Sequence, residues 1–157
     1  MDALSAKVLT VSDGVAHGTR DDRSGRALVE RLTAAGYRVV AHEVTPDGAD
    51  EVATALAAMA AGFAGVIVTT GGTGFTPRDL TPEGTRRVIE RDAPGLAEAM
   101  RLVNPLGRLS RAVAGILGGA IVVNTPGSPT GAVECLDAVI DVLPHAIALL
   151  NGGPSEH

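Results

Sequence analysis

Three aspartates and one glycine-rich turn are the parts of this sequence best suited to chemistry. Gly71-Gly72-Thr73-Gly74 sets three glycines within four positions, with Thr70 before them and Arg78-Asp79 shortly after. Glycine tolerates positive φ and leaves backbone N–H groups bare, so such a turn ahead of a helix can cradle phosphate or a similar anion. A tight turn that binds nothing has the same composition. Asp79, five residues past the last glycine, reads as a turn or cap aspartate, or else as a magnesium ligand or a group orienting a nucleophile. Magnesium takes one or two carboxylates together with phosphate oxygens. Asp47 in Thr45-Pro46-Asp47-Gly48 has the same two readings, because Pro-Asp-Gly is itself a favoured turn. Together the two carboxylates could hold a metal–nucleotide complex, and Asp13 in Ser12-Asp13-Gly14 is a third candidate.

Neighbouring motifs narrow the chemistry. The glycine turn is followed by Pro77 where a dinucleotide fingerprint needs glycine, and no Gly-Lys-Ser/Thr follows it; Lys7 is the only lysine. Arg78, Arg108 and Arg111 are candidate phosphate partners, since arginine donates bidentately. Ser128 in Pro126-Gly127-Ser128-Pro129 lacks the nucleophile-elbow frame and reads instead as a hydroxyl presented to a ligand at a helix start. The four histidines show no metal-ligand spacing, and His145 reads as packed or capping. Cys135 is the sole cysteine, which excludes an intrachain disulfide framework and a thiolate zinc site and leaves a core or near-core role.

The elements that must position these residues follow from periodicity. Strands are expected at Lys7–Val11, Tyr37–Val44, Gly65–Thr70 and Ala120–Thr125, each ending in a turn. Residues 17–22 are expected as a loop. Helices are expected from Ser24 to Gly36, over Ala49–Ala61 and from Pro82 to Arg91, the last with Thr81 as hydroxyl cap. Pro94-Gly95 should break that helix, ahead of a short helical piece over Leu96–Val103 and a turn at Asn104–Gly107. Leu109–Gly115 fits a strand or a helical turn equally well. A helix from about Thr130 to Leu143 should be interrupted at Pro144 and continue over His145–Leu150. The alternation implies an α/β fold, a single three-layer α/β/α domain over residues 5–150 with a mostly parallel central sheet and short tails at 1–4 and 151–157. In such sheets the carboxyl-end turns share one edge, where ligands bind. Four of these turns carry carboxylates, hydroxyls or glycines: 12–14, 45–48, 70–79 and 124–129.

Composition sets outer limits. The 157 residues suit one domain with a proper core. A formal charge of −5 and only Tyr37, Phe63 and Phe75 as aromatics argue against a nucleic-acid or anionic-membrane binder. No signal peptide and no apolar run of membrane-spanning length is evident, so the expected location is the cytoplasm.

Taken in order, several motifs resemble the molybdenum-cofactor biosynthesis family of the Mog/MoaB type, which includes the corresponding domain of gephyrin. They are Val11-Ser12-Asp13, Thr69–Gly74 with Arg78-Asp79-Leu80-Thr81-Pro82-Glu83, Leu109–Gly115, and Val123–Pro129. The resemblance implies a molybdopterin-binding α/β/α domain that assembles as a homotrimer. Catalytic members transfer AMP from Mg-ATP to molybdopterin, release pyrophosphate, and pass the product to molybdenum insertion. By motif position it assigns Asp47 and Asp79 as catalytic and magnesium-binding. Ser12, Asp13, Gly71, Gly72, Thr73, Gly74, Ser110, Gly127 and Ser128 fall on ligand-facing loops. It also leaves open a non-catalytic pterin carrier or assembly protein of the MoaB type, and a nucleotide hydrolase on a related domain.

Overall fold

In strand β1 (Ser5–Val11) both faces are apolar: Ala6 and Val8 enter one core, Leu9 and Val11 the other. A strand buried on both sides belongs inside a sheet covered by helices on both faces. The computed structural model, which describes residues 3–153, has this arrangement. The expected tail positions 1–2 and 154–157 lie outside the described residues. After β1 come α1 (Asp13–Ala16), α2 (Arg23–Ala34), β2 (Arg38–Thr45), α3 (Ala49–Ala60), β3 (Gly65–Thr70) and α4 (Thr81–Val88). Then follow β4 (Arg91–Asp92), α5 (Pro94–Arg101), a 3-10 turn Pro105–Leu109, β5 (Ala114–Leu117), β6 (Ala120–Thr125), α6 (Pro129–Asp137) and α7 (Leu143–Leu150).

The sheet order is β2-β1-β3-β6-β5-β4. The first four strands are parallel, and β5 and β4 extend the sheet antiparallel. Leu28, Leu32, Met100, Leu136, Leu143 and Ile147 cover one face, bringing in α2, α5, α6 and α7. Val52, Leu56 and Met59 of α3, with Val88 and Ile89, cover the other. The registers Val11↔Thr45, Thr10↔Thr70 and Thr70↔Thr125 keep the four parallel strands level at their carboxyl ends. The turns at 12–14, 45–48, 70–79 and 124–129 therefore do share one edge.

Several local expectations are corrected. Helix α4 ends at Val88, because Ile89 turns extended and Glu90 N–H donates to Ile116 O at 2.7 Å. Pairing with β5 overrides helical propensity there, and it also settles the ambiguous 109–115 stretch, whose end becomes strand. Thr81 is not a capping hydroxyl. Leu80 takes the cap position without a side-chain bond, and the buried Thr81 hydroxyl donates to Gly71 O at 2.8 Å. Pro94 opens α5 rather than breaking a helix, and Pro144 opens α7; a first-turn proline loses no helical hydrogen bond. The long last helix accordingly stops at Asp137. Asn104 caps the 3-10 turn by accepting from Leu106 N–H.

One polar residue stitches the layers beneath the site. Asn124, fully buried in β6, accepts from Val113 N–H and donates to the hydroxyls of Thr69 and Thr85 at 3.0 and 3.1 Å. Its side-chain amide is satisfied, and it fixes β3, α4 and the segment leading from Ser110 in one relation.

Candidate active site

The level strand ends surround a cleft of about 640 Å³, lined by Thr10, Ser12, Asp47, Thr70–Gly74, Asp79, Pro126 and Gly127. A second cavity of about 400 Å³ adjoins it, sharing Thr73, Gly74 and Pro126 and reaching Ser110, Ser128, Leu106 and Leu109. The sequence-predicted residues thus fall into two neighbouring compartments. Asp47, Asp79, Ser12 and the glycines share the first, while Ser110 and Ser128 sit in the second with Thr73 and Gly74. Asp13 lines neither.

The glycine turn is locked by the sheet. Gly71 has φ +99° and donates to Thr125 O at 3.1 Å; a Cβ there would lie 2.2 Å from Val11 O. Gly72, at φ +69°, would meet the Thr81 hydroxyl at 2.2 Å. Only glycine admits both this backbone and this closeness. Beyond the turn, Asp79 Oδ2 accepts from Thr76 N–H at 2.9 Å. Arg111 brackets the same segment, donating to Gly74 O at 2.8 Å, Asp79 O at 2.5 Å and Glu83 at 2.7 Å. This engagement with protein oxygens replaces the expected phosphate contact. Arg108 likewise donates to Pro105 O at 3.0 Å and lines neither cavity.

Asp47 and Asp13 brace each other across the ends of β1 and β2. Asp13 N–H donates to Asp47 Oδ2 at 3.0 Å, and Asp47 N–H donates to Asp13 Oδ1 at 3.1 Å. Arg78 closes the arrangement with two bonds to the Asp13 carboxylate, at 3.1 and 2.9 Å, and one to Asp47 O. Asp13 and Arg78 therefore position Asp47. Hydroxyls are similarly spent: Ser12 caps α1 by accepting from Val15 N–H, and Ser128 caps α6 by accepting from Gly131 N–H.

Charge separates the two acids. The hydrogen bond from Arg78 holds the Asp13 carboxyl below its ordinary value. Burial, with the charges of Asp13 and Asp79 adding to it, pushes Asp47 up, while the bond from Asp13 N–H acts the other way. A raised carboxyl binds its proton more tightly folded than unfolded. Asp47 thus costs stability progressively as pH rises from the unfolded carboxylate value through the raised folded one. Asp47→Asn, whose amide oxygen can still accept from Asp13 N–H, is expected to raise Tm at pH 7. That gain should shrink below about pH 4, where aspartate is protonated in the unfolded chain too. Circular-dichroism melts of both proteins against pH check this, and a gain constant over the range would reject burial as the cause.

Among the described residues, Asp47 Oδ1 and Asp79 Oδ1 accept no hydrogen bond from the protein. No group of three or more His, Cys, Asp or Glu arranged for a metal occurs among them. Two carboxylates, each with one open oxygen and one of them disfavoured as a bare anion by burial, fit a magnesium ion completed by phosphate oxygens. The sequence reading missed Arg20, Arg23 and Ser24, which line the cleft where the 17–22 loop enters α2. Residues 17–22 are loop as expected; the signal was the run Arg20-Asp21-Asp22-Arg23, in which Asp22 caps α2 by accepting from Gly25 N–H at 2.9 Å.

The comparisons with known proteins agree with this geometry. Residues 7–145 match the family described as "Probable molybdopterin binding domain". The chain is 35% identical over 159 aligned residues to the molybdopterin adenylyltransferase of Helicobacter pylori, covering 97% of this chain and 90% of that one. It is 35% identical to molybdenum cofactor biosynthesis protein B of Bacillus cereus, over 83% of this chain and 80% of that one. The crystal structure of the molybdopterin biosynthesis enzyme MoaB from Thermus thermophilus superposes with a TM-score of 0.89 at 44% identity, covering 96% and 98% of the two chains. Similarity of this extent, over the strands and turns that build the cleft, places the chain in the molybdopterin-binding family of molybdenum-cofactor biosynthesis proteins.

Proposed function

We propose that the protein is a molybdopterin adenylyltransferase, transferring AMP from ATP to molybdopterin with release of pyrophosphate. The observation that carries this reading is the convergence of Asp47 and Asp79 on the glycine turn, at level ends of parallel strands, with a second cavity opening beside them. The name of the Helicobacter pylori relative supports the same reaction. In the transfer, an oxygen of the molybdopterin terminal phosphate bonds to the α-phosphorus of ATP. The bond from that phosphorus to its bridging oxygen breaks, and the electron pair leaves on pyrophosphate. Such a reaction needs positioning and charge neutralisation more than a protein nucleophile, and the cleft offers no activated serine or cysteine.

In this reading the amides of Gly72, Thr73 and Gly74 hold phosphate oxygens, and Gly127 lets a ligand approach the opposite wall. Asp47 and Asp79 would hold magnesium, which when bound neutralises phosphate charge. Arg111 and Thr76 keep Asp79 in place, while Asp13 and Arg78 do the same for Asp47. Ser110 and Ser128 belong to the second compartment, whose apolar wall suits a flat heterocycle. Residues 5–150 form the functional unit. Assembly as a homotrimer is part of the proposal, supported by the exposed Leu102, Leu106 and Leu109 beside that compartment. So are cytoplasmic location and hand-over to a molybdenum-insertion protein. Among the described residues no helix is long and apolar enough to cross a membrane.

The direct test incubates the protein with molybdopterin and Mg-ATP, seeking adenylylated pterin by mass and pyrophosphate in equal amount. The name of the Bacillus cereus relative states no reaction, and a pterin carrier is the second reading. Tight pterin binding with neither product would select it.

A further inference from the structure

Six arginines among the described residues are ion-paired, namely Arg26, Arg31, Arg78, Arg86, Arg87 and Arg111. Arg101 and Arg108 donate to backbone carbonyls. Of the remaining four, Arg38 and Arg91 lie elsewhere, whereas Arg20 and Arg23 both line the cleft. Ser24, only 9% exposed, lines the same cavity, and its hydroxyl bonds to no described residue yet is not sealed from solvent. Ser24 lies in the first turn of the twelve-residue α2. The amide of Gly25 is taken by Asp22, and those of Arg23 and Ser24 have no acceptor among the described residues. Asp21 also borders this wall and stands 3.9 Å from Arg26. The cleft is therefore two-signed: acids at the ends of β2 and beyond β3, and guanidinium groups, a hydroxyl and a helix amino end on the wall where α2 begins.

We infer that Arg20, Arg23, Ser24 and the first turn of α2 form a polyphosphate subsite that takes the pyrophosphate portion of a nucleoside triphosphate. This rests on the adenylyl-transfer reading for its place in the reaction. Asp47 and Asp79 repel bare phosphate, so a chain of three phosphates needs positive charge beyond the metal these acids can hold. Two guanidinium forks with a hydroxyl and two amides provide donors enough for two phosphate groups, more than a monophosphate uses. When the bridging bond to the α-phosphorus breaks, the departing pyrophosphate gains the electron pair. Arg20 and Arg23 face that gain in charge, while the AMP portion stays bonded to the attacking phosphate oxygen.

Titration calorimetry on the full chain with Mg-pyrophosphate, Mg-ATP and AMP tests the subsite. The double substitution Arg20→Gln with Arg23→Gln should weaken pyrophosphate and ATP at least ~10-fold, the effect of one or two charge-assisted bonds, and leave AMP within about twofold. Lysine at both positions should restore part of the loss, because it keeps charge without the planar fork. Ser24→Ala should weaken pyrophosphate by about threefold to tenfold. Both arginines are exposed, and Ser24→Ala removes only a hydroxyl with no partner among the described residues, so circular dichroism should show native folding in every variant. Failure of the wild type to bind pyrophosphate, unchanged ATP affinity in the double variant, or an equal loss for AMP would each overturn the subsite. The two readings separate cleanly. Arginine-dependent pyrophosphate binding without adenylylated pterin keeps the subsite and rejects adenylyl transfer. Transfer with an ATP KM indifferent to both arginines does the reverse.

Discussion

Asp79→Asn is expected to lower AMP transfer by about 10³-fold, the scale on which one preorganised charged group supports a transition state, while leaving the fold and pterin affinity nearly unchanged. The contrast arises from the two oxygens of this carboxylate. Oδ2 accepts from Thr76 N–H, and an asparagine oxygen can do the same, so the loop keeps its shape. Arg111 grips the carbonyls of Gly74 and Asp79, not the carboxylate, and is indifferent to the change. What disappears is the negative charge on the open oxygen that would hold magnesium against phosphate. Initial rates of pyrophosphate release, beside pterin binding followed by fluorescence, check the split. Turnover at the wild-type rate would remove Asp79 from the mechanism, and a parallel loss of pterin affinity would make its role structural.

Gly71→Ala should be the most damaging single methyl within the glycine turn. Its Cβ would lie 2.2 Å from Val11 O, a backbone atom held within the central sheet, at a φ of +99° that alanine disfavours. Neither side can give way without moving the end of β1 or β3. We expect destabilisation of about 3 kcal/mol and a Tm lower by roughly 6–12 °C for a domain of this size. Gly127→Ala is the control, since its Cβ would meet nothing nearer than Gly71 Cα at 3.5 Å. That variant should melt within a few degrees of wild type, so any loss of ligand binding in it reports on the cleft. Thermal melts by circular dichroism compare the two. Equal stability of Gly71→Ala and Gly127→Ala would contradict the close approach at Gly71.

Much of the fold was legible before any coordinates. Strands β3 and β6 match their expected bounds because each is a short β-branched run closed by glycine or proline. Helices α2 and α3 were readable from apolar spacing and glycine stops. Strand β4 was not, as two exposed charged residues carry no periodicity. They become strand only because β5 lies alongside. The break between α6 and α7 was misplaced for a related reason: proline was read as an end, whereas tertiary packing used it as a start.

By itself the sequence determined which turns carry chemistry and that β-α-β alternation would bring them to one edge. Periodicity and turn residues act over a few positions, and alternation fixes strand direction. Only the tertiary structure decided which groups are free to meet a ligand. Arg111, expected on phosphate, is held by carbonyls 37 and 32 residues away in the chain. Asp13 is bound to Arg78, 65 residues distant, while Arg20 and Arg23, either side of the Asp21-Asp22 pair, have no ion-pair partner among the described residues and stand on the cleft wall. A side chain's partner is set by which segments the sheet register lays side by side, and no local pattern encodes that distance.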